Sequence, residues 1–190
     1  MNHSSGAGAG PGHERQRAVE PRRAESGRWP VLEAALAVVN RDLSATLPGQ
    51  DELVLVVAPS GGPPGPDGRD QKDVYVALLD GRWHGDRVNA GDPEAGDPPE
   101  PEDPSTALAV VAEAAQETVM ELLRKVWPTC PEHRTGLHSR PAGTTDAEET
   151  RAAGVTGPPV RRCGGGRDGE SHDVAVVGEL AARRPDQRDE

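Results

Sequence analysis

The chain has 190 residues, of which 34% are hydrophobic and 2% aromatic, with 23 glycines, 19 prolines and a formal net charge of −11 at pH 7. So little apolar material cannot order every residue, which predicts long disordered segments around a small core. The acidic balance argues against nucleic-acid binding, which depends on cationic contacts to phosphates, and no apolar run is long enough for a membrane span. Phenylalanine and isoleucine are absent. Their codons are AT-rich, so part of the Ala, Gly, Pro and Arg excess is codon bias of a GC-rich genome.

Residues 1–27 show no hydrophobic period and no apolar core of a secretory signal, and they read as a disordered tail. Their arginines alternate with Glu14, Glu20 and Glu25, the pattern of a solvated tail rather than a basic arm. Cytoplasmic localisation is therefore expected. There, two cysteines are expected to be free or metal-bound rather than disulfide-bonded.

The first helix is expected over 29–46. Pro30 suits the first helical turn, and Leu32, Leu36, Val39 and Leu43 recur on one face before Pro48 and Gly49 end it. The run ELVLVVA at 52–58 is a strand by length and β-branching, and DVYVALL at 73–79 is a second. The intervening PSGGPPGPDG lacks P-loop spacing and the Gly-Lys-Ser/Thr ending, so it reads as a structural loop. Asp80-Gly81 signals a hairpin into a third strand at 82–84, with Trp83 packed on the sheet and His84 an ordinary edge histidine. Residues 28–85 thus form a helix plus β-meander.

Residues 86–103 are acidic and proline-rich and read as a linker. The main helix, 104–128, carries Leu108, Val111, Ala115, Val119, Leu122 and Val126 as a seam that packs on the sheet, and Pro128 stops it. Residues 129–182 are expected to be an irregular Cys/His module, with a short strand at 160–163 and a short helix within 172–182. A frayed tail, 183–190, closes the chain.

That module carries the chemistry. Cys130, His133, Cys163 and His172 can supply the four thiolate and imidazole ligands of a structural zinc site. Cys130-x2-His133 has the spacing of a knuckle, and the glycines 164–166 allow a wide second half. His138 is an alternate ligand. The competing reading makes Cys163 a small buried hydrophobe and the histidines surface residues. No catalytic constellation emerges: Ser60 and Ser171 lack a nucleophile motif, and Glu132 and Glu170 are weak acid–base candidates for an open zinc site.

VYVALLDGRWHG, AEAAQETVMELLRKVWPTCPEH and GGRDGESHDVAVVGEL resemble a group of uncharacterised small actinobacterial proteins, over roughly residues 29–182. The resemblance implies no activity. In that group the residues just before the second cysteine tend to be aromatic, whereas here they are Arg161 and Arg162.

The fold expected is α+β: a small antiparallel sheet of about three strands, two main helices, and an irregular Cys/His module. The function expected is a non-enzymatic binding or regulatory domain with a structural zinc site and an unidentified protein partner. The alternatives are a zinc-dependent hydrolase using Cys130, His133 and His138, and a nucleic-acid-binding regulator, which the net charge disfavours.

Overall fold

A computed structural model describes residues 21–59, 72–90, 99–141, 157–166 and 169–181. Among them are two helices and two three-stranded antiparallel sheets, an α+β arrangement. The glycine-rich loop after residue 59, residues 1–20 of the expected tail, the centre of the acidic linker and the closing tail lie outside the described residues.

Helix α1 (Pro30–Thr46) begins with proline at its first position, where the missing N–H costs nothing. Its N-cap, Trp29, offers no side-chain acceptor, yet first-turn N–H groups need one. Glu100 supplies it, while Glu33 ties down the chain ahead of the helix. Glu33 accepts from the Gly27 N–H at 2.8 Å, and Glu100 accepts from Val31 and Leu32 at 2.9 and 3.1 Å. Both anions also sit at the positive end of the helix dipole.

The first sheet orders as β1 (Arg22–Arg23), β2 (Val54–Pro59) and β3 (Lys72–Ala77), with β2 central. Side chains alternate across a strand, and both faces of this sheet are used. Leu53 and Leu55, with Val74, Val76 and Leu78, pack toward the helices. Val54, Val56 and Ala77 face the other way under Tyr75 and Trp83, whose rings lie 5.3 Å apart.

Three expectations change here. The third strand is not the segment at 82–84, which joins β3 only through a bridge between Ala77 and Trp83; it is Arg22–Arg23, inside the expected tail. The acidic linker is not uniformly loose either. Val88 is buried in the core and its N–H bonds to the Val74 carbonyl, while Asn89 accepts from the Val74 N–H and donates to Asp73. That segment seals the outer edge of β3, and Glu100 caps α1.

Helix α2 (Pro104–Leu123) starts at Asp103, whose carboxylate accepts from the Thr106 N–H and hydroxyl, each at 2.7 Å. Those two bonds hold the Asp103 carboxyl below its ordinary range. A carboxylate depressed on folding stabilises the fold above its unfolded pKa and loses that contribution as pH falls through the folded value. Asp103→Ala should therefore lower the thermal midpoint at neutral pH and make little difference in strong acid. Identical melting of the two proteins at neutral pH would contradict the cap.

The helix ends at Leu123, five residues short of the expected end at 128. A residue preceding proline is pushed out of the α region, so Trp127 cannot continue it, and Arg124 turns the chain with a left-handed φ of 53°. Val126 consequently leaves the apolar seam and is 56% exposed.

The second sheet orders as β4 (Leu137–Pro141), β5 (Pro159–Cys163) and β6 (His172–Val176), all antiparallel. The helix expected within 172–182 is replaced by β6 and a turn. The β-branched Val174 and Val176 favour a strand, and Gly178, at a φ of 96°, breaks any helical run beyond it. Trp127 and Val177 join this sheet to the main core.

A buried polar junction completes the docking. Asp42 of α1 accepts from the N–H groups of Gly178 and Leu180, each at 2.9 Å. Arg161 of β5, fully buried, brings Nε to 3.6 Å from the Asp42 carboxylate, donates from Nη1 to Ser139 at 2.9 Å, and places its guanidinium 5.4 Å from the centre of the Trp127 ring. Burial pulls the guanidinium pKa down to about 10 against the attraction of Asp42, so the group stays charged at neutral pH. Trp127 in turn donates from Nε1 to the Thr46 hydroxyl at 2.8 Å.

Candidate metal centre

Two short pieces of chain carry the cluster. In the first, the Cys130 N–H bonds to the Thr135 carbonyl at 2.8 Å and the Arg134 N–H bonds back to the Cys130 carbonyl at 3.0 Å. This closes a tight turn, with Arg134 at a positive φ of 56°. The turn brings Cys130 and His133 to one side. In the second, the register of β5 and β6 sets Cys163 directly opposite His172. A bridge between Thr129 and Gly136 and the pairing of Leu137 with Cys163 lay the turn against the sheet.

The four ligand atoms lie within 4.8 Å of one another. Cys130 Sγ is 3.7 Å from His133 Nδ1 and 3.9 Å from His172 Nε2, and Cys163 Sγ is 3.4 Å from His133 Nδ1. A tetrahedral ion with sulfur at about 2.3 Å and nitrogen at about 2.0–2.1 Å separates its ligand atoms by about 3.3–3.8 Å. The three separations fall on or beside that range. Both cysteines are fully buried with free thiols, and both histidines are half-buried.

The surroundings also suit a cation. The His172 Nδ1 sits 3.3 Å from the Glu170 carbonyl, the partner that fixes a tautomer with Nε2 free to coordinate. Backbone N–H groups of His133 and Gly165 point at Cys130 Sγ and Cys163 Sγ at 3.5 and 3.4 Å, which stabilises thiolate charge. Burial raises the Cys163 thiol, but bonds from Thr135, Gly165, Cys130 and His133 outweigh it and draw the pKa down. Burial and the neighbouring Cys163 raise the Cys130 thiol, against N–H groups of His133 and Glu132.

His138 is not part of this cluster. It stands exposed on β4, where it lines a depression along α2 with His84, Glu117 and Arg140. Glu132 is 72% exposed, with its carboxylate 3.8 Å from His172 Nε2, and Glu170 contributes its carbonyl rather than its side chain.

Several contributors carry no sequence signature as site residues. Thr135 reaches Cys163 Sγ at 3.3 Å, a contact that becomes visible only once the turn is closed. Gly165 has a φ of 83°, and a Cβ there would collide with the Gly169 carbonyl; a Cβ on Gly169 would strike the His133 ring. These two glycines let the loop pass close against the cluster. Gly165→Ala should weaken metal binding by about 10–100-fold, the usual cost of disturbing groups that orient ligands. Unchanged affinity in a competition titration would argue against that role.

Comparison with protein families, curated proteins and solved structures finds no match. The site's chemistry therefore rests on its own geometry. Two thiols and two imidazoles form a set that could hold a metal ion, and no helix among the described residues is long and apolar enough to cross a membrane.

Proposed function

We propose that Cys130, His133, Cys163 and His172 bind a single structural zinc ion in a non-enzymatic binding or regulatory domain. The observation that carries this is the match of the thiol–imidazole separations, 3.4–3.9 Å, to the edges of a tetrahedral zinc site. Soft thiolate paired with imidazole in that geometry favours zinc over hard cations such as magnesium or calcium.

Four protein ligands leave no coordination position for water, so the ion has no means of activating a nucleophile. Its use is architectural. Among the described residues, the small cluster beneath it has Cys130, Leu137 and Cys163 as its buried members, with Val174 and Leu180 packed against them. A core of that size needs a staple, and metal-binding energy serves as folding energy in such modules. In this reading the loaded module presents a rigid surface to a protein partner. The hydrolase alternative needs His138 as the third ligand beside Cys130 and His133, with the fourth position open, and its exposed position on β4 gives that no support.

The test is elemental mass spectrometry on untagged protein purified in reducing buffer, for the wild type and Cys130→Ser. One zinc per wild-type chain, absent from the variant, together with a chelator-sensitive melting transition, is expected. Metal-free wild-type protein with full thermal stability would overturn the reading.

A further inference from the structure

Cys130 and Cys163 are the chain's only cysteines. Both belong to the metal cluster, from separate pieces of chain, with their sulfurs within 4.8 Å. A disulfide between them would remove two of four ligands in one event, and no third thiol in the chain competes for either sulfur. The remaining ligands, His133 and His172, would be a pair of imidazoles, too few for a structural zinc site.

The surroundings allow the sulfurs to approach. Cys163 is the last residue of β5 and is followed by three glycines, two of them at positive φ. Cys130 lies in a turn, outside both sheets. The cluster is close to the surface: His172 is one-third exposed beside the exposed Glu132, so a small oxidant needs to displace only an imidazole to reach sulfur.

We infer that the site is also a modification site, at which a hydroperoxide joins Cys130 to Cys163 and expels the metal. This rests on the zinc reading above. One thiolate attacks a peroxide oxygen, the O–O bond breaks, and a sulfenic acid forms as hydroxide leaves and takes up a proton. The second thiolate attacks the sulfenic sulfur, the S–S bond forms, and the S–O bond breaks with loss of a second hydroxide, again protonated to water. One zinc ion held by two thiolates, with one hydrogen peroxide and two protons, thus gives one disulfide, two waters and a free zinc ion. The sulfur pair is oxidised by two electrons and the peroxide reduced by two.

The experiment uses the reduced, full-length wild-type chain, its zinc content measured first, then treated with hydrogen peroxide in small molar excess. Released zinc is read with a chromophoric chelator, and the cysteines are read by mass spectrometry after thiol blocking. Near-stoichiometric zinc release is expected, in step with loss of two hydrogens per chain, a Cys130–Cys163 cross-linked peptide, and rebinding of zinc after reduction with a dithiol. Zinc retained under these conditions would overturn the inference and leave the structural site standing. Zinc released with sulfinic or sulfonic cysteines, or with disulfides between chains, would overturn it equally. Absence of zinc from the starting protein would remove the metal reading itself, and the inference with it.

Discussion

Cys163→Ser is expected to abolish stoichiometric zinc and to unfold the second sheet while leaving the first intact. Serine keeps the size of the side chain and removes the thiolate, so the change isolates the ligand from its packing. Metal affinity should fall by more than the roughly hundredfold that outer-shell changes reach. The structural consequence follows from position. Cys163 pairs with Leu137 on one side and His172 on the other, and it is buried with Cys130 and Leu137 in the local core. Hydrogen exchange should accelerate across β4, β5 and β6 in the variant and remain slow in α1, β2 and β3. An unchanged exchange pattern together with bound zinc would show that Cys163 is a buried hydrophobe and no ligand.

Asp42→Ala is expected to lower stability by about 3–5 kcal/mol, the cost of removing one partner of a buried ion pair. The loss has two sources. Arg161, fully buried, would keep its charge without a counter-ion, and the N–H groups of Gly178 and Leu180 would lose their acceptor. Because Arg161 is two residues from Cys163, and Trp127 beneath it three from Cys130, the same change should loosen the metal centre. Pairing Asp42→Leu with Arg161→Met should recover the part of the loss due to the stranded Arg161 charge, while the Gly178 and Leu180 N–H groups still lack their acceptor. Denaturant melts of the two single variants and the double variant give the coupling directly. Additive losses, with no recovery in the double variant, would mean that the two side chains do not act as a pair.

The legible parts of the fold were those whose signal is periodic. Leu32, Leu36, Val39 and Leu43 mark the buried face of α1, and all four are buried. The ELVLVVA and DVYVALL runs became β2 and β3 because alternate side chains had apolar surface to meet on both faces. What escaped was carried by single residues in misleading company. Arg22–Arg23 is a strand only because β2 offers it an open edge. Val88 and Glu100 are lone contributors within a stretch whose composition matches a linker, and neither has a pattern to betray it.

The four residues of the Cys/His cluster stand out in the sequence because thiols and imidazoles are scarce here: two cysteines and six histidines in 190 residues. Sequence spacing alone does not separate the histidines. His138 is close in sequence to His133, but β4 carries it to the face along α2, whereas His172, far away in sequence, is set opposite Cys163 by strand register. Arg161 shows the limit of composition. Its guanidinium lies 5.4 Å from the centre of the Trp127 ring and carries a charge that Asp42 answers, a buried place that its residue type does not announce.

The most direct test of the central claim is X-ray absorption spectroscopy at the zinc edge on the reduced, zinc-loaded wild-type chain. The account predicts a four-coordinate ion with two sulfurs at about 2.3 Å and two imidazole nitrogens at about 2.0–2.1 Å. A shell of light atoms without sulfur, or one sulfur replaced by a water oxygen, would contradict the closed two-thiolate, two-imidazole centre.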